Sequence, residues 1–142
     1  MRLEALGVVV RFRVVIVVVQ IKENKKDSAR VVLDKCLKVL PDTILPFNIF
    51  SLSVIDGYMQ LGDTVQAGSI RNILLKNVYD DLEYFASLGK KYEDYLMYEK
   101  QVAFYVLDEI RRQAYMNNQQ ELFAGIEEKM QYYGNALNIQ MQ

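Results

Sequence analysis

Tyr58-Met59-Gln60-Leu61-Gly62-Asp63-Thr64-Val65-Gln66-Ala67 decides the fold of this chain. An apolar helical run ends in Gly62, the residue type that best takes the left-handed backbone after a helix. Asp63 follows and can cap the next helix by accepting a backbone N–H. Ala67 then gives the second helix a small side chain where the first can approach closely. The stretch reads as a helical hairpin, and weaker copies of it flank it on both sides.

The chain has 142 residues, 51% of them hydrophobic and 25% charged, which is the composition of one ordinary globular domain. Two prolines and seven glycines leave room for long helices joined by short corners. Residues 1–40 hold nine Lys/Arg against four Asp/Glu, and residues 41–142 hold eight against fourteen. A basic end can meet nucleic acid or an anionic membrane surface, or it can coat solvated helix faces. The second reading is preferred, since no nucleic-acid motif is present. With one cysteine, Cys36, and no histidine, the chain forms no internal disulfide. It also lacks the inventory for Cys/His zinc sites and for histidine-based acid–base chemistry. No cofactor and no metal site is expected.

Outward from the hairpin, Ala29, Leu33, Cys36, Leu37 and Leu40 recur at helical spacing, with Arg30, Asp34, Lys35 and Lys38 between them. Asp27 is a candidate cap for that helix, and Pro41 stops it. Cys36 falls on the apolar side, where it reads as a small hydrophobe. Pro46 can open the next helix, which runs to about Leu61. A longer one extends from Asp63 to about Ser87 and ends at Leu88-Gly89. A fifth helix is expected over residues 90–116. A sixth runs from about Gln120 to Tyr133, closed by Gly134, with a frayed tail over 137–142.

Residues 1–20 stand apart. The run from Val8 to Val19 is almost entirely β-branched and reads locally as a buried strand. Arg11 and Arg13 interrupt it as a membrane span, and no small-residue cleavage site follows it as a signal. We expect a helix packed on the array, with tertiary contacts overriding propensity, and a start displaced from a longer parent chain.

The spacing of small and aromatic residues resembles the tetratricopeptide pattern. Ala29, Leu33, Cys36 and Pro41 match its second half, and Tyr58, Gly62 and Ala67 match its first half. Tyr115 and Ala124 repeat the nine-residue step from Tyr58 to Ala67. The interval between copies is irregular, with 38 residues separating Ala29 from Ala67 and 57 separating Ala67 from Ala124. The expectation is an all-α, tetratricopeptide-like stack of about six antiparallel helices in right-handed hairpins, with its body over 21–136.

A narrower resemblance spans about Ile21 to Tyr133. The run Asp27 to Asp42 (DSARVVLDKCLKVLPD), with Phe50-Ser51-Leu52, Tyr58 to Asp63 and the tyrosine-rich stretch after Leu82-Glu83-Tyr84, resembles the soluble C-terminal region of a bacterial membrane-protein family. That multi-spanning family is related to protein O-mannosyltransferases. The resemblance implies an accessory helical tail on a lipid-linked-sugar glycosyltransferase. This chain lacks the multi-spanning region expected to hold catalysis, so no catalytic residue is carried over. It also implies the extracytoplasmic face of the membrane as location, against the cytoplasm if the chain stands alone.

Ten tyrosines remain to be explained. At about 100° per residue, Leu96, Ala103, Leu107, Ile110 and Ala114 form one stripe of the fifth helix, and Tyr95, Tyr98, Val102 and Tyr105 form another nearly opposite. A helix apolar on two faces is sandwiched between neighbours, or else the tyrosines line a groove for a peptide or glycan. Tyr95, Tyr98, Tyr105 and Tyr58 are therefore the candidate partner-binding residues. Carboxylates cluster at Asp80-Asp81-Glu83, Glu93-Asp94 and Asp108-Glu109, where surface solvation is preferred to acid–base chemistry because adjacent helical positions diverge. The leading expectation is a non-catalytic module that binds a protein or peptide. The alternatives are a small enzyme using carboxylates and tyrosines, and a structural homodimer closed through residues 8–19.

Overall fold

Left-handed corners end three of the helices in the computed structural model, which describes residues 25–39 and 48–139. Among these residues all regular structure is helical. In order they are α1 (Lys26–Val39), α2 (Ser51–Gln60), α3 (Thr64–Ser87), a 3-10 turn (Lys90–Tyr92), α4 (Met97–Met116) and α5 (Gln120–Ala136). The all-α expectation is met, and five of the six expected helices have counterparts. The expected first helix at 1–20, Pro41 and Pro46 lie outside the described residues. The chain divides into two compact units, Met1–Leu74 and Leu75–Gln142, with the division falling inside α3.

In the first unit α1 packs on α2. Ala29, Leu33 and Cys36 form the buried stripe of α1, and Leu52, Val54, Ile55 and Tyr58 that of α2. Ala67, Ile70 and Leu74 bury the first part of α3. Tyr58 is 0% exposed, and its hydroxyl donates to Asp34 Oδ1 at 2.6 Å. A buried phenol without an acceptor would cost about 1–3 kcal/mol, so this bond decides whether Tyr58 can sit inside. Burial and then the Asp34 carboxylate push its ionisation well above the ordinary tyrosine value.

The Gly62 corner is held from two directions. Asp63 Oδ1 accepts the N–H of Gln66 at 3.1 Å, the third residue of α3, which is the N-cap bond expected from the sequence. Its other oxygen accepts a hydrogen bond from Arg30 Nη1 at 2.8 Å. The Arg30 guanidinium and then the Gln66 N–H hold the carboxyl below its ordinary range. Tyr58 meets Asp34 while Asp63, farther along the chain, meets Arg30, farther back, so α1 and α2 run antiparallel.

Three helices end by one device. Gly62 (φ 79°), Asn118 (φ 57°) and Asn138 (φ 57°) each take the left-handed region. Each donates its N–H three residues back, and the next residue donates five back: Asp63 to Tyr58 at 2.9 Å, Gln119 to Ala114 at 2.9 Å, Ile139 to Gly134 at 2.9 Å. This pair of bonds satisfies carbonyls that the helix end leaves open.

Four boundaries differ from expectation. α5 does not close at Gly134, which is buried within it; Asn138 closes it, since asparagine also tolerates the left-handed region. Residues 137–139, expected to fray, belong to that cap. α2 begins at Ser51 because Asn48 holds its own turn, its side chain accepting from the Phe50 N–H at 3.1 Å and its N–H donating to Ser51 Oγ at 3.1 Å. α4 begins at Met97 because Gly89, at φ 70° and ψ −176°, lets the chain run through a 3-10 turn first. Asp27 lies in the first turn of α1 rather than capping it.

A Cβ at Gly62 would meet nothing within 4 Å, so Gly62→Ala tests the backbone alone. It is expected to lower stability by about 1–2 kcal/mol. Gly68→Ala, inside α3 with only ordinary contact to Arg71, should raise it by about 0.5–1 kcal/mol. Urea midpoints of the two variants check the opposite signs.

Candidate functional site: a tyrosine face and a polar recess in the second unit

The second unit is organised by the register of α4. Lys100, Ala103, Phe104, Val106, Leu107, Ile110 and Ala114 are its buried residues, and α4 packs on α5, whose buried residues are Ile126, Met130, Tyr133 and Gly134. Across this pair Arg111 Nη1 donates to Glu127 Oε1 at 3.0 Å while also pairing with Asp108. Such half-exposed pairs are worth about 1 kcal/mol or less, whereas burying a leucine or isoleucine yields about 1.5–3 kcal/mol. The apolar stripe, with Leu107 and Ile110 fully buried, therefore fixes the helix rotation.

That rotation decides the fate of the tyrosines. Tyr98 (73% exposed) and Tyr105 (53%) lie on the outer face, two turns apart, and Tyr95 (82%) lies in the turn just before α4. Val102 between them is half-buried. Of the two stripes read from the sequence, only the one containing Ala103, Leu107, Ile110 and Ala114 is covered. Tyr58 is withdrawn from the partner-binding set, because a side chain at 0% exposure cannot meet a partner.

Tyr115 and Ala124 do not take the places that Tyr58 and Ala67 take in the first unit. Tyr115 is 72% exposed, one residue past buried Ala114, and tilts against Phe123 with centroids 5.8 Å apart. Ala124 lies two residues, or about 200°, before buried Ile126 and so faces outward. A nine-residue spacing fixes no face; the neighbouring large side chains do.

The clustered carboxylates are occupied separately. Asp80 accepts from Lys76 at 2.6 Å, Glu109 from Arg112 at 2.7 Å, and Glu83 from the Tyr133 hydroxyl at 3.0 Å. Burial, reinforced by Asp80, pushes the Asp81 carboxyl up. Among the described residues no three His, Cys, Asp or Glu side chains gather where they could hold a metal ion.

Tyr133 anchors the inner side of α5. Its ring stacks on Tyr79 at 6.3 Å and meets Tyr132 edge-on at 5.0 Å. Lys129 lies over the Tyr79 ring at 5.8 Å, and burial raises the Tyr79 phenol.

Among the described residues of this unit, two recesses are not lined by Tyr95, Tyr98 or Tyr105. The larger, about 710 Å³, lies at the Asn118 corner between Tyr115, Met116 and Phe123. The smaller, about 330 Å³, is lined by Lys90, Glu93, Lys100, Asn135 and Asn138 among others. Sequence reasoning passed over Lys100. Its signal was present: position 100 falls in the inward 96/103/107/110 register, where a lysine is out of character. Comparison with protein-family models, curated proteins and solved structures finds no match.

Burial, then the Glu83 acceptor, raises the Tyr133 hydroxyl from its ordinary 10.0 to about 12. The folded chain thus keeps a proton that the unfolded chain releases. Stability from this group is full below pH 10 and is lost as pH rises through about 12. Tyr133→Phe should flatten the alkaline fall in stability between those values. A fall of unchanged steepness, followed by denaturant midpoints across that window, would show that the fold does not hold the Tyr133 phenol protonated.

Proposed function

We propose that this protein is a non-catalytic helical interaction module that binds a protein or peptide through the tyrosine-bearing outer face of α4. The observation that carries this reading is the exposure of Tyr98 and Tyr105 on a helix whose opposite face is anchored by its core. Tyrosine offers a large, rigid, amphipathic contact area at small conformational-entropy cost, which is why it is enriched at binding surfaces. The face is bordered by charge of both signs, with Glu99 and the Glu109–Arg112 pair on the same helix. That border fits a polar rim around an aromatic centre. The expected groove is replaced by an outward helix face, suited to a partner that brings its own concavity or an extended chain.

The resemblance to the C-terminal region of O-mannosyltransferase-related membrane proteins supplies a setting for this role. In that setting the module would hold an acceptor polypeptide near the membrane, or mediate self-association, on the extracytoplasmic side. The tetratricopeptide-like arrangement belongs to the same reading, supported by the buried Ala29, Leu33, Cys36, Tyr58 and Ala67 and by the Gly62 corner. None of the described helices is long and apolar enough to cross a membrane.

The triple variant Tyr95→Ala/Tyr98→Ala/Tyr105→Ala tests the face. These side chains are exposed, so helicity by circular dichroism should be unchanged. Quantitative affinity capture should lose its main partner at least tenfold, since interface hot spots cost about 2 kcal/mol or more each. An unchanged partner set would exclude this face.

A further inference from the structure

The outer face of α4 carries a repeat that its own core does not use. Tyr98, Val102, Tyr105, Glu109, Arg112 and Met116 follow one another at steps of four and three residues, the spacing of a seam between two helices. At about 100° per residue these six positions stay within roughly 40° of one line, nearly opposite the buried Ala103, Leu107, Ile110 and Ala114. Tyr105 is 53% exposed and Met116 69%, and most of the exposed large hydrophobic side chains among the described residues fall between Tyr92 and Met116. Two charges interrupt the apolar line: Glu109 and Arg112 sit one turn apart and pair at 2.7 Å. Their order along the helix decides what can cover the face. A parallel copy of the same seam sets Glu109 against Glu109 and Arg112 against Arg112, which is repulsive. An antiparallel copy, centred between Ile110 and Arg111, sets each Glu109 against the Arg112 of the other.

We propose that α4 pairs with α4 of a second copy of this chain, antiparallel across a two-fold axis, through the C-terminal half of this face. The proposal rests on the reading of the face as an interaction surface and names its partner. In the pairing each Glu109 keeps the Arg112 of its own helix and gains that of the other, so four charges of alternating sign close a ring at the axis. On either side Tyr105 lies across from Met116 of the second copy, an aromatic–thioether contact. A two-fold contact requires a patch complementary to itself. This stripe meets that requirement, because reversing it exchanges acid for base and tyrosine for methionine. The overlap from Tyr105 to Met116 is about 17 Å long at about 1.5 Å per residue. A strip of that length and one helix wide covers well under the ~800 Å² per partner of a standard interface. The dimer therefore belongs to the transient class, forming at micromolar concentrations and above. Tyr95 and Tyr98 lie outside the overlap and stay available to another partner.

Sedimentation equilibrium of the full chain, from micromolar to millimolar concentration, tests the pairing by charge exchange. The parent should associate reversibly to a dimer. Glu109→Arg and Arg112→Glu each place like charges at the axis, and each should weaken the dimer at least tenfold with helicity by circular dichroism unchanged. Mixed in equal amounts, the two variants face each other with opposite charges and should recover the parent's affinity as a heterodimer. A parent that stays monomeric, a dimer indifferent to both exchanges, or a mixture no tighter than its components would overturn the proposal. The wider reading of the face fails on a different result, capture of a foreign partner that survives loss of the tyrosines, so the two are judged apart.

Discussion

A helix packed against one neighbour can bury only one face, and that constraint governs the second unit. α4 carries apolar or aromatic side chains on two sides, and its neighbour α5 covers one of them. The side holding Leu107 and Ile110 wins because aliphatic burial is free of a polar penalty, whereas a buried tyrosine must find an acceptor for its hydroxyl. Once that choice is made, Tyr98 and Tyr105 stand outside and Lys100 is turned inward. The outward tyrosines and the inward lysine are two consequences of one helix rotation.

The contrast with the buried tyrosines shows the same physics. Tyr58 and Tyr133 are inside, and each is met by a carboxylate brought from another helix, Asp34 for one and Glu83 for the other. Among the described residues, the tyrosines of the α4 face have no comparable acceptor. Whether a tyrosine is structural or available to a partner is thus set by whether a distant segment delivers an oxygen.

That division marks what could be read in the sequence. Helix existence was legible, because the 3.6-residue spacing of apolar side chains and the glycine and asparagine corners are local signals. Gly62-Asp63 announced both its left-handed turn and its N-cap bond. The Asn138 cap was missed because Gly134, four residues earlier, looked like the stronger stop. A glycine inside a helix is tolerated where packing requires a small residue, and Gly134 is buried. The late start of α4 was hidden in a stretch with no proline, where Gly89 alone turns the chain. The sites were less legible. Exposure of Tyr98 and Tyr105 depends on which stripe α5 covers, and the Asp34–Tyr58 and Arg30–Asp63 bonds join residues 24 and 33 apart in sequence. Lys100 was visible as an anomaly in the inward register, but only the surrounding turns make it a recess.

The most direct test of the α4 rotation is residue-resolved nitration of the native protein with tetranitromethane, read by peptide mass spectrometry. Tyr98 and Tyr105 should be modified early, and Tyr58 and Tyr133 only after unfolding. Protection of Tyr98 and Tyr105 in the monomer, with early modification of Tyr133, would contradict the rotation and everything built on it.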